Sequence, residues 1–152
     1  MERITKISND GLTLLKELEG FRDKPYLDAA GIPTIGYGST YYKQGTRVTL
    51  QDVKISQFEA SNLLSDLVVH FERSVDSFTR DDVTQNQFDA LVCFAYNVGS
   101  NALKGSTLLK KINSRASNEE IKTQFLRWNK VNGRANAGLT NRRLKEINLY
   151  FK

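Results

Sequence analysis

The chain has 152 residues, 39% of them hydrophobic and 26% charged, enough apolar material for one packed domain and too much for a disordered chain. Its single cysteine, Cys93, excludes an intrachain disulfide, and no run of about 18 apolar residues is present to span a membrane. The net charge of +5 is uneven: residues 1–100 hold 10 Lys/Arg against 14 Asp/Glu, whereas residues 101–152 hold 12 against 3. A basic final third points to an anionic partner or to a solvated basic face.

The N-terminal stretch MERITKISNDG is polar and has no secretory apolar region, so synthesis in the cytoplasm is expected. Asn9 or Asp10 can cap a first helix running to Glu19, with Leu12, Leu14, Leu15 and Leu18 as its apolar stripe and Gly20 as its stop. Residues 24–49 then change character. Pro25 and Pro33 disfavour helix and four glycines punctuate the stretch. Tyr26–Asp28, Pro33–Tyr37 and Thr46–Thr49 read as short strands of a small antiparallel sheet, with Ala29-Ala30-Gly31 as the turn between the first two. Such a sheet needs helices to pack on.

Ser56-x-x-Glu59 is a capping box opening a helix over 57–78, roughly 30 Å long. The lone histidine, His70, lies on it; with one Cys beside it in the whole chain, no zinc site is expected. Thr84-x-x-Gln87 opens an apolar helix over 88–98 that Gly99 ends, and Cys93 sits in it as a small buried residue. Ser106 caps a helix through Asn113, and Ser117-x-x-Glu120 opens another carrying Ile121, Phe125 and Trp128. Residues 132–138 read as a loop, and a last helix over 139–150 carries Arg142 and Arg143.

The chain has no GxSxG, Walker, HExxH or CxxC motif, which leaves carboxylate chemistry. Glu19 ends the first helix, Asp28 follows nine positions later at a strand end, and Thr34 six positions after that. Glycoside hydrolysis uses two carboxyl groups across one sugar–sugar bond, one protonating the leaving oxygen and one activating water, roughly 6.5–9.5 Å apart in inverting enzymes. Taken alone, these residues leave two readings open: an acid–base pair, or an ordinary helix-to-strand junction. Tyr26 and Tyr37 read as sheet packing and Trp128 as core.

The stretch LKELEGFRDKPYLDAAGIPTIGYG, with Glu19, Asp28 and Thr34 at their spacing, resembles the catalytic segment of the phage-type lysozymes of glycoside hydrolase family 24, the T-even and lambdoid endolysins. QFDALVCFAYNVG, GSTLLKKIN, FLRWNK and GLTNRRLKE resemble further family segments in the same order. The resemblance implies a lysozyme-like α+β fold: an N-terminal lobe with a small antiparallel sheet at about 12–56, a connecting helix at about 57–78, a helical C-terminal lobe at about 79–152 joined by the first helix, and a cleft between lobes. It implies a muramidase that hydrolyses the β-1,4 bond from N-acetylmuramic acid to N-acetylglucosamine, needing no cofactor or metal. Glu19 is then the general acid, Asp28 the base that activates water, and Thr34 the residue that orients it. Tyr96, Asn97, Arg142 and Arg143 become substrate-binding candidates, one of the two arginines approaching Glu19. The implied partners are peptidoglycan glycan strands and an anionic outer-membrane surface for the basic third. Nucleic acid is not among them, and a monomer is expected. Action in the periplasm after release through a holin pore follows from the same resemblance. Ser39 stands where many members have a histidine in an internal ion pair, so that pair is not carried over.

Overall fold

The computed structural model describes residues 2–152. The order of elements is α1 (Asn9–Glu19), β1 (Arg22–Leu27), β2 (Pro33–Gly36), α2 (Gln57–Phe78), α3 (Gln85–Val98), α4 (Ser100–Lys104), α5 (Thr107–Asn113), α6 (Asn118–Leu126), β3 (Lys130–Val131), β4 (Arg134–Ala135) and α7 (Ala137–Tyr150). The chain divides into two compact units, Thr13–His70 and the combination of Met1–Leu12 with Phe71–Lys152. The boundaries fall inside α1 and α2.

In the unit spanning 13–70, β1 and β2 form an antiparallel pair with Arg22 opposite Gly36, Tyr26 opposite Thr34 and Leu27 opposite Pro33. An irregularity between Arg22 and Tyr26 breaks the even register. Ile35, Val48 and Leu63 make a buried cluster with Tyr42, Ile55 and Leu67 packed on it. Gly36 adopts φ +67°, and a Cβ there would sit 3.1 Å from the Ala60 Cβ, so glycine lets the strand lie close on α2. The capping box of α2 is formed, with Ser56 Oγ accepting from Glu59 N and Glu59 Oε1 accepting from Ser56 N.

The third strand expected at 46–49 is not formed. That segment keeps one isolated bridge, Tyr41 to Arg47. Asp52 explains why. Its carboxylate takes Thr49 N at 2.9 Å, the Thr49 hydroxyl at 2.6 Å and the Tyr42 hydroxyl at 2.7 Å, turning the chain where a ladder would continue.

In the other unit, α7 packs along α3. The core holds Phe88, Leu91, Phe94, Leu103, Leu108, Ile112 and Phe125, all fully buried. Phe94 meets Phe125 and Trp128 edge-on, with ring centroids 5.7 and 5.6 Å away, so Trp128 packs on the core while only partly buried itself. The cap of α1 is Ser8, not Asn9 or Asp10: Ser8 Oγ accepts from Gly11 N at 3.1 Å. Ser8 N and Oγ both donate to Asp89, which is fully buried and also accepts from Gln85 Nε2 at 2.7 Å. A Cβ on Gly11 would lie 2.6 Å from Asp89 Cγ, which accounts for a glycine in the first turn of a helix. Residues 130–135, read as mostly loop, form a hairpin through Asn132 (φ 51°) and Gly133 (φ 78°), the left-handed pair of a type I′ turn.

Candidate active site

Glu19 is the last residue of α1 because Gly20, at φ +71°, ends the helix while its N–H still donates to Lys16 O at 2.9 Å. Tyr37 fixes what surrounds this end. The Phe21 ring lies 5.6 Å from the Tyr37 ring, Lys16 Nζ lies 5.7 Å over it, and Gln57 Nε2 donates to the Tyr37 hydroxyl at 3.0 Å. Tyr37 is therefore a packing residue, and it contacts the residues on either side of the helix end that carries Glu19.

Asp28 follows β1 and closes the turn into β2. Its Oδ1 accepts from Ala30 N at 2.8 Å and Ile32 N at 2.9 Å, while its own N–H donates to Ile32 O. Gly31, at φ +78°, makes the turn possible. One carboxylate oxygen is thus anchored by backbone amides, and Oδ2 takes no hydrogen bond from a described residue. Thr34 is buried on β2, and its hydroxyl donates to Ile32 O at 2.8 Å. With its proton committed, the Thr34 oxygen is left as an acceptor.

Tyr26 belongs with this group, although its sequence context suggests only sheet packing. It is directly opposite Thr34, so the two side chains share a face of the sheet. The phenol is held above its ordinary value, first by burial and then by the Glu19 carboxylate, with Asp28 adding to it and Arg22 opposing. Both carboxylates therefore act on one hydroxyl. The signal available in the sequence was the alternation of a strand, which puts residues 26 and 28 on one side.

The remaining candidates lie in the other unit. Tyr96 packs on Phe71, ring centroids 5.2 Å apart. Asn97 is exposed, and its Oδ1 accepts from Arg143 Nη2 at 2.6 Å. Arg143 is fully buried; it holds Asn97 and reaches Trp128 O. Its Nε lies 2.8 Å from Glu146 Oε1, and its Cζ stands 4.9 Å over the Phe94 ring. Arg142, 8% exposed, donates to Cys93 O at 2.9 Å and to Glu146 Oε2 at 3.3 Å. Sequence reasoning missed Glu146, the buried carboxylate shared by both arginines; its position one helical turn after them was the cue. Ser39 is fully buried between the reciprocal backbone bonds it shares with Ile35, and its Oγ has no hydrogen-bond partner among the described residues.

A helix-end carboxyl, a turn-anchored carboxylate and a buried hydroxyl on a two-stranded sheet make up the kind of site used by carboxylate-dependent glycosidases. The phage lysozyme family matches residues 16–146, and the chain belongs to that family. It is 44% identical to the endolysin of Bacillus phage B103 over 95% of this chain and 54% of that one. Among solved structures, the endolysin of Escherichia coli phage FAHEc1 superposes with a TM-score of 0.89 at 34% identity, covering 100% of this chain and 97% of that chain. The muramidase domain of SpmX from Asticaccaulis excentricus superposes with a TM-score of 0.82 at 32% identity, covering 98% and 99%. The chain spans about half the length of the Bacillus phage endolysins it matches.

Proposed function

We propose that the chain is a muramidase that hydrolyses the β-1,4 bond between N-acetylmuramic acid and N-acetylglucosamine in peptidoglycan, with inversion, as the lytic enzyme of a phage. The observation that carries this reading is the presentation of Asp28: one oxygen tied to two backbone amides, the other unengaged, beside a threonine whose oxygen can only accept. A water donating one hydrogen to Asp28 Oδ2 and the other to Thr34 Oγ1 has its lone pair aimed away from both. Asp28 takes the proton as that lone pair attacks the anomeric carbon. Glu19 delivers its proton to the departing oxygen, so no alkoxide is expelled. The similarity to a muramidase domain supports the substrate class.

Arg143 donates to the Asn97 carbonyl oxygen, which leaves the amide nitrogen as the exposed polar group of that side chain. The basic third attracts anionic envelope polymers through exposed residues such as Lys104, Lys130, Arg134 and Lys145 and not through Arg142 and Arg143, which are buried. The enzyme acts as a monomer on the wall, in the periplasm after holin-dependent release. Among the described residues no helix is long and apolar enough to cross a membrane.

Turbidity clearing of purified peptidoglycan by wild type, Glu19→Gln and Asp28→Asn tests the proposal. Wild type should clear, and both variants should fall by at least about a hundredfold, the contribution of one acid–base group. Clearing by Glu19→Gln at the wild-type rate removes the muramidase reading. A lytic transglycosylase on a related fold would tolerate Asp28→Asn and release 1,6-anhydro ends.

A further inference from the structure

Tyr26 is partly buried, and among the described residues its hydroxyl takes part in no hydrogen bond. Packing alone does not account for it. The ring is clamped from one side by Arg22, whose guanidinium carbon lies 4.2 Å from the ring centroid, a cation–π contact that fixes the direction of the C–O bond. The strand register fixes it from the other, with Thr34 directly opposite on the same face. Burial, Glu19 and Asp28 all push the phenol up, with only Arg22 opposing, so it stays a neutral O–H donor wherever the carboxylates do their work. A donor in this position has no protein acceptor to serve. A sugar presents hydroxyl, ring and N-acetyl oxygens to the same face.

We infer that Tyr26 is a further catalytic residue of the site: clamped by Arg22 and paired with Thr34, it donates its phenolic hydrogen to an oxygen of the sugar whose bond is broken. This rests on the muramidase reading. The donated bond holds the sugar in the distorted geometry that places its anomeric carbon between Glu19 and the attacking water, so its value is realised in turnover more than in binding. Arg22 contributes twice, by orienting the ring and by offsetting the negative potential of the carboxylates.

Tyr26→Phe keeps the ring, the stack and the strand while deleting the oxygen. On peptidoglycan or defined muropeptide oligomers, kcat should fall about tenfold, the rate equivalent of one hydrogen bond, with KM within about twofold and an unchanged melting temperature. Should Tyr26→Phe melt early, a fluorinated tyrosine placed at position 26 keeps the shape and ionises at lower pH. Activity should then be lost on the alkaline side at a lower pH than in wild type, because a phenolate cannot donate. A wild-type kcat for a stably folded Tyr26→Phe, or an unshifted alkaline limb for the fluorinated enzyme, overturns the inference. The two readings fail separately: wild type active with Glu19→Gln dead leaves the muramidase assignment standing whatever Tyr26 does. Wild type releasing no reducing ends sinks both.

Discussion

Replacing Glu146 by glutamine tests how the buried arginine pair of α7 is held. The carboxylate is fully buried, and each oxygen lies against a guanidinium nitrogen: Oε1 is 2.8 Å from Arg143 Nε, and Oε2 is 3.3 Å from both Arg142 Nε and Arg143 Nη2. Glutamine keeps the shape but offers one acceptor and one NH2. Whichever way it flips, an amide N–H faces a guanidinium N–H, and two buried cations lose the shared negative charge. Breaking a buried ion pair from one side costs about 3–5 kcal/mol; with one hydrogen bond retained, about 3 kcal/mol is expected. For a chain of this length that is a fall of roughly 6–12 °C in melting temperature. Urea unfolding followed by far-UV circular dichroism gives the free energy directly. The same variant should loosen Asn97, because Arg143 loses one of its anchors. A Glu146→Gln protein within about 0.5 kcal/mol of wild type would refute the reasoning and mean that the cluster is energetically neutral.

Gly11→Ala should destabilise: the gain of about 0.4–1 kcal/mol from a stiffer unfolded chain is smaller than the cost, about 1–3 kcal/mol, of a Cβ 2.6 Å from Asp89 Cγ and Ile7 Cγ1, and thermal melting reads the sign. Gly133→Ala strains a φ of +78° in the Asn132-Gly133 turn, with open space around the new methyl, and should cost about 1 kcal/mol by the same assay. Asp82 accepts from Arg115 and Arg80, whose hydrogen bonds lower its pKa to about 2. Its folded value lies below the unfolded value of about 3.9, so its contribution is fully present above the unfolded value and is lost as pH falls through that value toward 2. An acid titration should show Asp82→Asn less stable than wild type at pH 6 and converging with it near pH 2; parallel curves over that range would contradict the linkage.

Sequence reasoning succeeded where a local rule had no competitor. The capping boxes at Ser56 and Thr84 and the stop at Gly20 formed because each satisfies its own backbone groups. It failed where a distant group outbid the local one. Asn9 and Asp10 are good caps, but Asp89 reaches across 81 positions to fix Ser8 in that role. Thr46–Thr49 has strand composition, but the Asp52 side chain takes the donors of Thr49 at its end. The Asn132-Gly133 turn was written in the sequence and is among the strongest short hairpin signals, yet strands of only two residues carry no periodicity to reveal it. The site itself divides the same way. The spacing of Glu19, Asp28 and Thr34 is visible along the chain. The orientation of Asp28 comes from the turn at Ala30–Ile32, and the burial of Arg143 from packing on Phe94, neither of which a charge pattern encodes.

The configuration of the first product tests the central claim most directly. If Asp28 activates water opposite the bond that Glu19 protonates, proton NMR of freshly cleaved peptidoglycan oligomers should show the new reducing end appearing as the α-anomer and only then mutarotating. A β-anomer appearing first would mean retention, with Asp28 attacking the sugar or the substrate assisting, and would contradict the roles assigned to Asp28 and Thr34.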